Sequence, residues 1–537
     1  MRAASFVSRR LALAAVLAAT AAGATAAAAA DDVDALRAGA LAAIARARAA
    51  AAGQSPVVRE VTLPSIERLV EDADQRRAHV TVPARDEAFV RDTLATAQAY
   101  AERVAAGEDP YRGATGELVK AYRADWDGTL QPYALYVPRG YDPKRESKRT
   151  WPLIVALHGA FSDHKHNLRR VFGLDNRPGE TDAEASRNRL PLPDVPAFVV
   201  SPLGRGELMG YDGLGGDDVM HAIADVRRAY PIDPDRITLT GLSMGGGAAW
   251  AIGLRHPELF AALGVVCGIT DFRRMIHPPD TALYDLDRLD AISPLALAAN
   301  AAHQQVFIFH GDQDPTVSVE DSRRMVARYK VLGWLGKNVH YTEYPGVGHA
   351  AWVPAYRDAN LLRTLAAIRR DPAAPRTPLS PPPPGEAIPG LASKSVPRQR
   401  PHLYIYGTNG APEAVTASRD LATAMADWGP MVAAKFGVKA DRDVTAADRA
   451  RFDLVLVGAG PLNALAAALE RTPGFPKLPP LQDHAYRALV PDPRAPSGYT
   501  LIVGALTPRG FAHLLRFARH NKDAWAPESN RAFTLLQ

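Results

Sequence analysis

The chain reads as an α/β protein in which a mostly parallel sheet is covered by helices on both faces. Short apolar runs recur near 151–157, 196–201, 236–240, 262–267, 305–310 and 338–344. Helical stretches such as 217–229 and 319–332 lie between them. Strand–helix alternation of this kind is the pattern of a parallel sheet built from crossover units. Glycine- and aspartate-rich turns follow several of the runs, at the strand ends where open α/β sheets gather their sites.

Taken in order, the first thirty residues stand apart. Arg2, Arg9 and Arg10 precede an Ala/Leu/Val-rich run over 11–30, which gives way abruptly to Asp31-Asp32. A positive start, an apolar middle and small residues suited to cleavage make an export signal cut between Ala22 and Ala30. The alternative is an uncleaved N-terminal membrane anchor. Ser8-Arg9-Arg10-Leu11 hints at a twin-arginine route, though the rest of that pattern is incomplete. Residues 31–124 form a helical N-terminal region, with helices over 34–52, from Pro64-Ser65, and from about 86 to 106, closed by Pro110 and Gly113. No motif in it carries chemistry, and a packing element, cap or propeptide-like arm is expected. The principal domain spans 125–370 and opens with the alternating strand at 132–137. A proline-rich linker of polyproline character covers 371–401. Residues 402–537 form a smaller α/β domain with strands at 402–406, 452–457 and 499–503. Its Gly458-Ala459-Gly460 lacks a third glycine and a following acid, so an accessory domain is expected rather than a nucleotide site.

Composition excludes several classes. Apolar content of 47% and charged content of 23% are ordinary for a globular protein. Without residues 1–30 the formal charge falls from +5 to +2, which makes no case for nucleic acid or an anionic membrane as partner. No dense Lys/Arg run with interleaved aromatics is present. The single cysteine, Cys267, excludes an internal disulfide and is expected to pack as a small core residue. His164 and His166 have H-x-H spacing, but zinc needs more ligands nearby, so both are read as solvated loop residues. No metal and no cofactor are expected.

The chemistry concentrates in Thr240-Gly-Leu-Ser-Met-Gly-Gly-Gly247, which follows the apolar run at 236–240. A serine at a tight strand-to-helix turn is held in a strained conformation with its hydroxyl exposed, so Ser243 is the candidate nucleophile. Gly241 and Gly245 allow chain segments to approach where a side chain would clash. A serine hydroxyl needs an adjacent base, and His349 is presented in the glycine-rich run Gly346-Val-Gly-His349 after the strand at 338–344. The acid that orients it is Asp312 or Asp314, and the residues alone do not decide between them. The loser becomes a turn residue bonding local backbone N–H groups. The oxyanion is expected to rest on the Met244 N–H and on that of Ala160 or Phe161, in the loop after the run 151–157. The glycine-rich loop 210–218 is read as lining the mouth of the site rather than cradling a phosphate, with Asp217 or Asp218 capping the next helix. Tyr211, Trp250 and Trp352 are candidate substrate-pocket walls.

Leu157-His-Gly159, the run 233–246 ending in Gly-Leu-Ser-Met-Gly-Gly, His310-Gly-Asp-Gln-Asp-Pro-Thr-Val317 and Gly348-His349 together resemble the α/β-hydrolase superfamily. Within it they resemble prolyl-oligopeptidase-like domains and polyhydroxybutyrate-depolymerase or feruloyl-esterase-like enzymes. The resemblance covers roughly 125–370 and implies the α/β-hydrolase fold there; the helical N-terminal extension and the smaller C-terminal α/β domain are read from the residues themselves. It implies a Ser243–His349–Asp314 triad, since the acid in the H-G-x-x-D run stands at the fifth place. The expected function is an exported serine hydrolase working through an acyl-enzyme on a small-molecule ester or peptide, in isolation or within a polymer. A prolyl-oligopeptidase-like peptidase is the first reading and a carboxylesterase the second. A non-catalytic binding protein on a hydrolase scaffold is the third. The gating β-propeller of prolyl oligopeptidases has no repeat signature here.

Overall fold

The computed structural model describes residues 32–78, 83–145, 149–174, 191–207, 210–211, 213–275, 293–374, 401–427, 433–472, 485–491, 499–512, 514 and 533–536. The export signal at 1–30 and most of the proline-rich linker lie outside these residues. Two compact units result, one ending at Ala114 and taking in Lys120–Tyr122, the other comprising Thr115–Val119 and the chain from Arg123 onward.

The first unit is helical: α1 (32–51), α2 (Leu63–Ala78) and α3 (Pro83–Ala105). Ala40, Ala43, Ala47, Ala97 and Ala101 are fully buried, because small side chains let helices pack at short axial distance. Arg37 binds Asp74 with two bonds of 2.7 and 2.8 Å. The second helix starts earlier than Pro64, since 56–62 are already helical and Val58–Thr62 forms a π-turn. A proline inside a helix lacks its N–H and crowds the preceding turn, and a one-residue expansion accommodates it.

The second unit carries an eight-stranded sheet. Its strands are β1 (Gly116–Arg123), β2 (Leu130–Val137), β3 (Trp151–Leu157), β4 (Phe198–Pro202), β5 (Ile232–Leu242), β6 (Ala262–Val266), β7 (Gln305–Gly311) and β8 (Val339–Tyr344). Their order is β1-β2-β4-β3-β5-β6-β7-β8. β2 runs antiparallel to β4, and from β4 to β8 every pairing is parallel. The sheet therefore begins at Gly116, inside the stretch assigned from sequence to the N-terminal region. Side chains alternate between two cores, as strand geometry requires. Leu153, Val155 and Leu239 face one core, with Val226 and Trp250. Ile154 and Ala156 face the other, with Leu168, Leu362 and Leu365. The covering helices are α4 (His164–Val171), α5 (Leu214–Ala229), α6 (Met244–Arg255), α7 (Val319–Val331) and α8 (Asn360–Ala367).

After the linker, a six-stranded sheet is formed by β9 (His402–Tyr406), β10 (Gly437–Ala440), β11 (Asp453–Val457), β12 (Ala485–Pro491), β13 (Tyr499–Gly504) and β14 (Phe533–Leu536). Its order is β10-β9-β11-β13-β12-β14. The first four strands are parallel, and β12 is antiparallel to both neighbours. Helix α9 (Pro412–Ala426) follows β9. β10, β12 and β14 were absent from the sequence reading.

Several site expectations give way to packing. Trp250 is wholly buried in α6, its ring 6.3 Å from that of Tyr329, so it is core and no pocket wall. Tyr211 is 2% exposed, and its hydroxyl accepts the His158 N–H at 2.9 Å while donating to the Pro202 carbonyl at 3.1 Å. It ties two loops together instead of facing substrate. His164 and His166 are buried in the first turn of α4, which packs against the sheet, and are not solvated loop residues. Asp163 caps that helix, accepting the His166 N–H at 2.7 Å. Asp218 does not cap α5 but accepts the Gly204 N–H at 2.7 Å, and the cap position is Gly213, without a side-chain bond. Among the described residues no helix is long and apolar enough to cross a membrane.

Trp250→Ala is expected to lower the unfolding free energy by about 3–5 kcal/mol through cavity formation. Denaturant titration checks this, and an unchanged midpoint would place the ring outside the core.

Candidate active site

Ser243 sits between the end of β5 and the start of α6, with φ 54° and ψ −119°. A non-glycine residue in that region stores about 1–3 kcal/mol of strain and persists only where its surroundings force it. Those surroundings are visible. A Cβ on Gly241 would lie 2.1 Å from the Gly245 carbonyl oxygen, and one on Gly245 would lie 2.3 Å from that of Leu157. The elbow is thus closed against the end of β3 at a distance open to glycine alone. Ser243 N–H donates to the Val266 carbonyl on β6 at 2.9 Å, tying the turn to the neighbouring strand. The positive end of α6 opens directly at the serine.

Three side chains from three strand ends meet here. His349 Nε2 is 2.9 Å from Ser243 Oγ, and its Nδ1 is 2.8 Å from Asp314 Oδ2. The carboxylate only accepts, so Nδ1 carries the proton and Nε2 is free to accept the serine proton. Asp314 Oδ1 accepts the N–H groups of Thr316 and Val317 at 2.8 and 3.0 Å. Asp312 turns away, its Oδ1 taking the Gly346 N–H at 2.7 Å. The two acids thereby divide: Asp314 holds His349, and Asp312 holds the loop that presents it.

A second histidine reaches the same carboxylate, and sequence reasoning gave it no role. His310, at the end of β7, is wholly buried with Nε2 3.2 Å from Asp314 Oδ2 and 2.9 Å from the Val317 carbonyl. A carbonyl only accepts, so this nitrogen is the donor, and Nδ1 accepts from Ser322 Oγ at 2.7 Å. The signal was present as the first letter of the H-G-x-x-D run, but spacing does not tell where the ring points. Burial pushes the Asp314 carboxyl up. The bonds from His310 and His349, then those from the two N–H groups, outweigh it and hold the group well below the usual carboxylate range.

The loop after β3 passes beside the elbow, a Cβ on Gly159 lying 3.5 Å from that of Ser243. Phe161 N–H is donated to the Glu207 carbonyl at 3.1 Å, so of the two amides expected in this loop that of Phe161 is already engaged. Phe161 itself is 72% exposed with φ 61°. Trp352 stands edge-on to His349, ring centroids 5.3 Å apart, with the Arg170 guanidinium 5.2 Å from its ring centre. Of the three aromatic candidates, Trp352 is the one the structure brings to the site.

Cys267, Asp314 and His349 also bring potential metal-ligand atoms within 4.8 Å of one another. Those atoms are already engaged. His349 Nδ1 and Asp314 bond each other, and the Cys267 thiol donates to the His349 carbonyl at 3.4 Å. Burial pushes that thiol far up, away from the thiolate a metal requires. In the C-terminal domain, Gly458 and Ala459 N–H donate to the Val503 and Ala505 carbonyls, both at 2.9 Å, and Gly460 N–H to Glu470 at 2.8 Å. A phosphate loop would keep such amides for its ligand.

Residues 212–368 match the Prolyl oligopeptidase family. The principal domain is an α/β-hydrolase fold. Among curated proteins the chain is similar to "Probable feruloyl esterase C" of Aspergillus terreus, 31% identical over 144 residues, covering 25% of this chain and 46% of the relative. It is also similar to "Acyl-protein thioesterase 1" of Gibberella zeae, 31% identical over 121 residues, covering 22% and 43%. The chain spans less than half the length of each. Among solved structures, a thermostable esterase shares 26% identity at a TM-score of 0.33, over 47% of this chain and 63% of that one. The family matched is named for a peptidase, and the two curated relatives carry the names of an esterase and a thioesterase.

Asp314 has a depressed native pKa, so its stabilising contribution is present above the unfolded carboxylate value of about 4. It is lost as pH falls through the native value. His310→Met removes the leading lowering bond, and acid unfolding is expected to begin at higher pH. Circular dichroism against pH checks this, and superimposable profiles would show that His310 does not hold the carboxylate. Gly245→Ala is expected to destabilise by more than about 3 kcal/mol, since the methyl would meet the Leu157 and His158 carbonyl oxygens at 2.3 and 2.6 Å; thermal melting reads it.

Proposed function

We propose that the chain is an exported serine hydrolase of carboxylic esters, acting through an acyl-enzyme on Ser243. The observation that carries this reading is the hydrogen-bonded chain Ser243–His349–Asp314, set on an elbow at the N-terminus of α6. Ser243 Oγ attacks the carbonyl carbon as His349 Nε2 takes its proton. The oxyanion rests on the Met244 and Ala160 amides. His349 then gives the proton to the leaving oxygen, and the ester bond breaks. Water, activated by the same nitrogen, attacks the acyl-enzyme and restores Ser243. Asp314 fixes the His349 tautomer and stabilises the imidazolium formed in each half-reaction. Every proton and electron pair in this cycle is handled by these side chains and amides.

Ester rather than amide cleavage is favoured by the names of both curated relatives, an esterase and a thioesterase. Exposed Phe161 beside the oxyanion amide and Trp352 beside His349 offer apolar surface suited to an acyl or alcohol moiety. The second reading, a serine peptidase, rests on the family match itself. Export rests on residues 1–30, with their arginines and apolar run.

Initial rates on matched aryl esters and peptide anilides separate the two readings, with Ser243→Ala as control. Ester turnover is expected to dominate and to fall by about 10⁴-fold or more in the variant. Anilide turnover near the ester rate would establish the peptidase reading. Activity untouched by Ser243→Ala would remove both.

A further inference from the structure

Among the described residues the C-terminal domain supplies no group to the proposed site, yet one of its segments reaches the turn beside the proposed oxyanion loop. That turn, residues 203–206, has positive φ at Gly204 (66°), Arg205 (68°) and Gly206 (157°). Arg205 is a side-chain-bearing residue in left-handed backbone and is 3% exposed, so its conformation must be imposed by its contacts.

Those contacts come from both domains. Arg205 Nη1 donates to Asp127 Oδ2 at 3.1 Å and to Thr129 Oγ1 at 3.2 Å. It also donates to the Ala433 carbonyl at 3.1 Å, while Ala433 N–H returns a bond to the Arg205 carbonyl at 2.7 Å. Gln131 Nε2 donates to the same Ala433 carbonyl at 2.7 Å, and Lys435 N–H to Asp127 Oδ2 at 3.2 Å. The Arg205 guanidinium lies 5.0 Å from the centre of the Trp126 ring, which packs at 5.6 Å on Phe436. A buried ion pair is thus joined by the backbone of the C-terminal domain, which accepts from Arg205 Nη1 at Ala433 and donates to Asp127 at Lys435.

The other side of the same turn holds the oxyanion loop. The Leu203 carbonyl faces His158 Nε2 at 2.9 Å, and the Glu207 carbonyl takes the Phe161 N–H at 3.1 Å. Pro202 and His158 are bridged by the Tyr211 hydroxyl. The proposed oxyanion donor, Ala160, lies between two residues pinned to the 202–207 segment.

We propose that residues 433–436 are a strap which, through Arg205 as a positioning residue, fixes the turn carrying the oxyanion loop, so that the C-terminal domain sets the rate of acyl transfer. The inference rests on the serine-hydrolase reading above. Transition-state stabilisation by fixed amides depends steeply on their placement, so a loosened strap lowers kcat with little change in KM.

The experiment uses the full chain with Arg205→Gln, Gln131→Leu and Ala433→Pro, the last deleting the N–H that bonds the Arg205 carbonyl. Titration with a fluorophosphonate first counts reactive Ser243, and kcat is expressed per titrated site, which removes misfolded molecules from the comparison. At least a tenfold fall in kcat is expected, with a parallel loss of affinity for a boronic acid, whose tetrahedral adduct needs the oxyanion amides. KM and the pH limits of kcat should stay put, because His349 and Asp314 are untouched. Native kcat and boronate affinity per titrated site in all three variants would overturn the strap and leave the hydrolase reading standing. Failure of the native chain to label at Ser243 would overturn both.

Discussion

The left-handed backbone of Ser243 is the constraint on which the principal domain's chemistry depends. It is strained, and three strands hold it there. β5 delivers the serine, the end of β3 closes against Gly245, and β6 takes the serine N–H through Val266. Because each contact is backbone against backbone, the sheet sets the Ser243 Cα–Cβ direction, and the bond to His349 Nε2 selects where Oγ stands. A site resting on rigid elements keeps its geometry better than one carried by loops alone. The same closure sets Ser243 at the N-terminus of α6.

Around that fixed point the loops specialise. The β7 loop spends its two acids differently, Asp314 on His349 and Asp312 on the Gly346 amide that shapes the next loop. The β3 loop gives the Phe161 amide to Glu207. Tyr211, buried and doubly bonded, joins that loop to β4. The division of labour is structural before it is chemical: amides and acids tied up in folding determine which remain to act.

Much of the fold is legible in the sequence. The parallel sheet followed from apolar runs long enough to be buried on both faces, and the elbow from glycines placed where a side chain could not fit. Ser243 and His349 stand out because each follows a strand, whereas Asp314 is separated from Asp312 only by the family resemblance. The failures have physical causes. β10 reads Gly-Val-Lys-Ala and β14 is a short edge strand, so neither has the alternation or length that marks a strand. β12, antiparallel and interrupted by Arg487, lacks the continuous apolar run of its parallel neighbours. Trp250 and Tyr211 sit beside the motifs in sequence, but a large ring near a glycine-rich loop fits a core as well as a pocket, and three-dimensional packing decides. His164 and His166 look polar in a loop, yet α4 turns them inward. His310 was visible as a letter of a motif and silent about its direction.

Asp314 has a further consequence. Its two oxygens receive four donors, a histidine pair on one and a pair of backbone amides on the other. The carboxylate is coordinated as fully as an ion in a rigid crystal site, with no lone pair left to redirect. One added methylene would carry both oxygens past all four donors together. Among homologues, glutamate at this position should therefore be rarer than its charge suggests, and where it occurs the backbone at 316–317 should have moved with it.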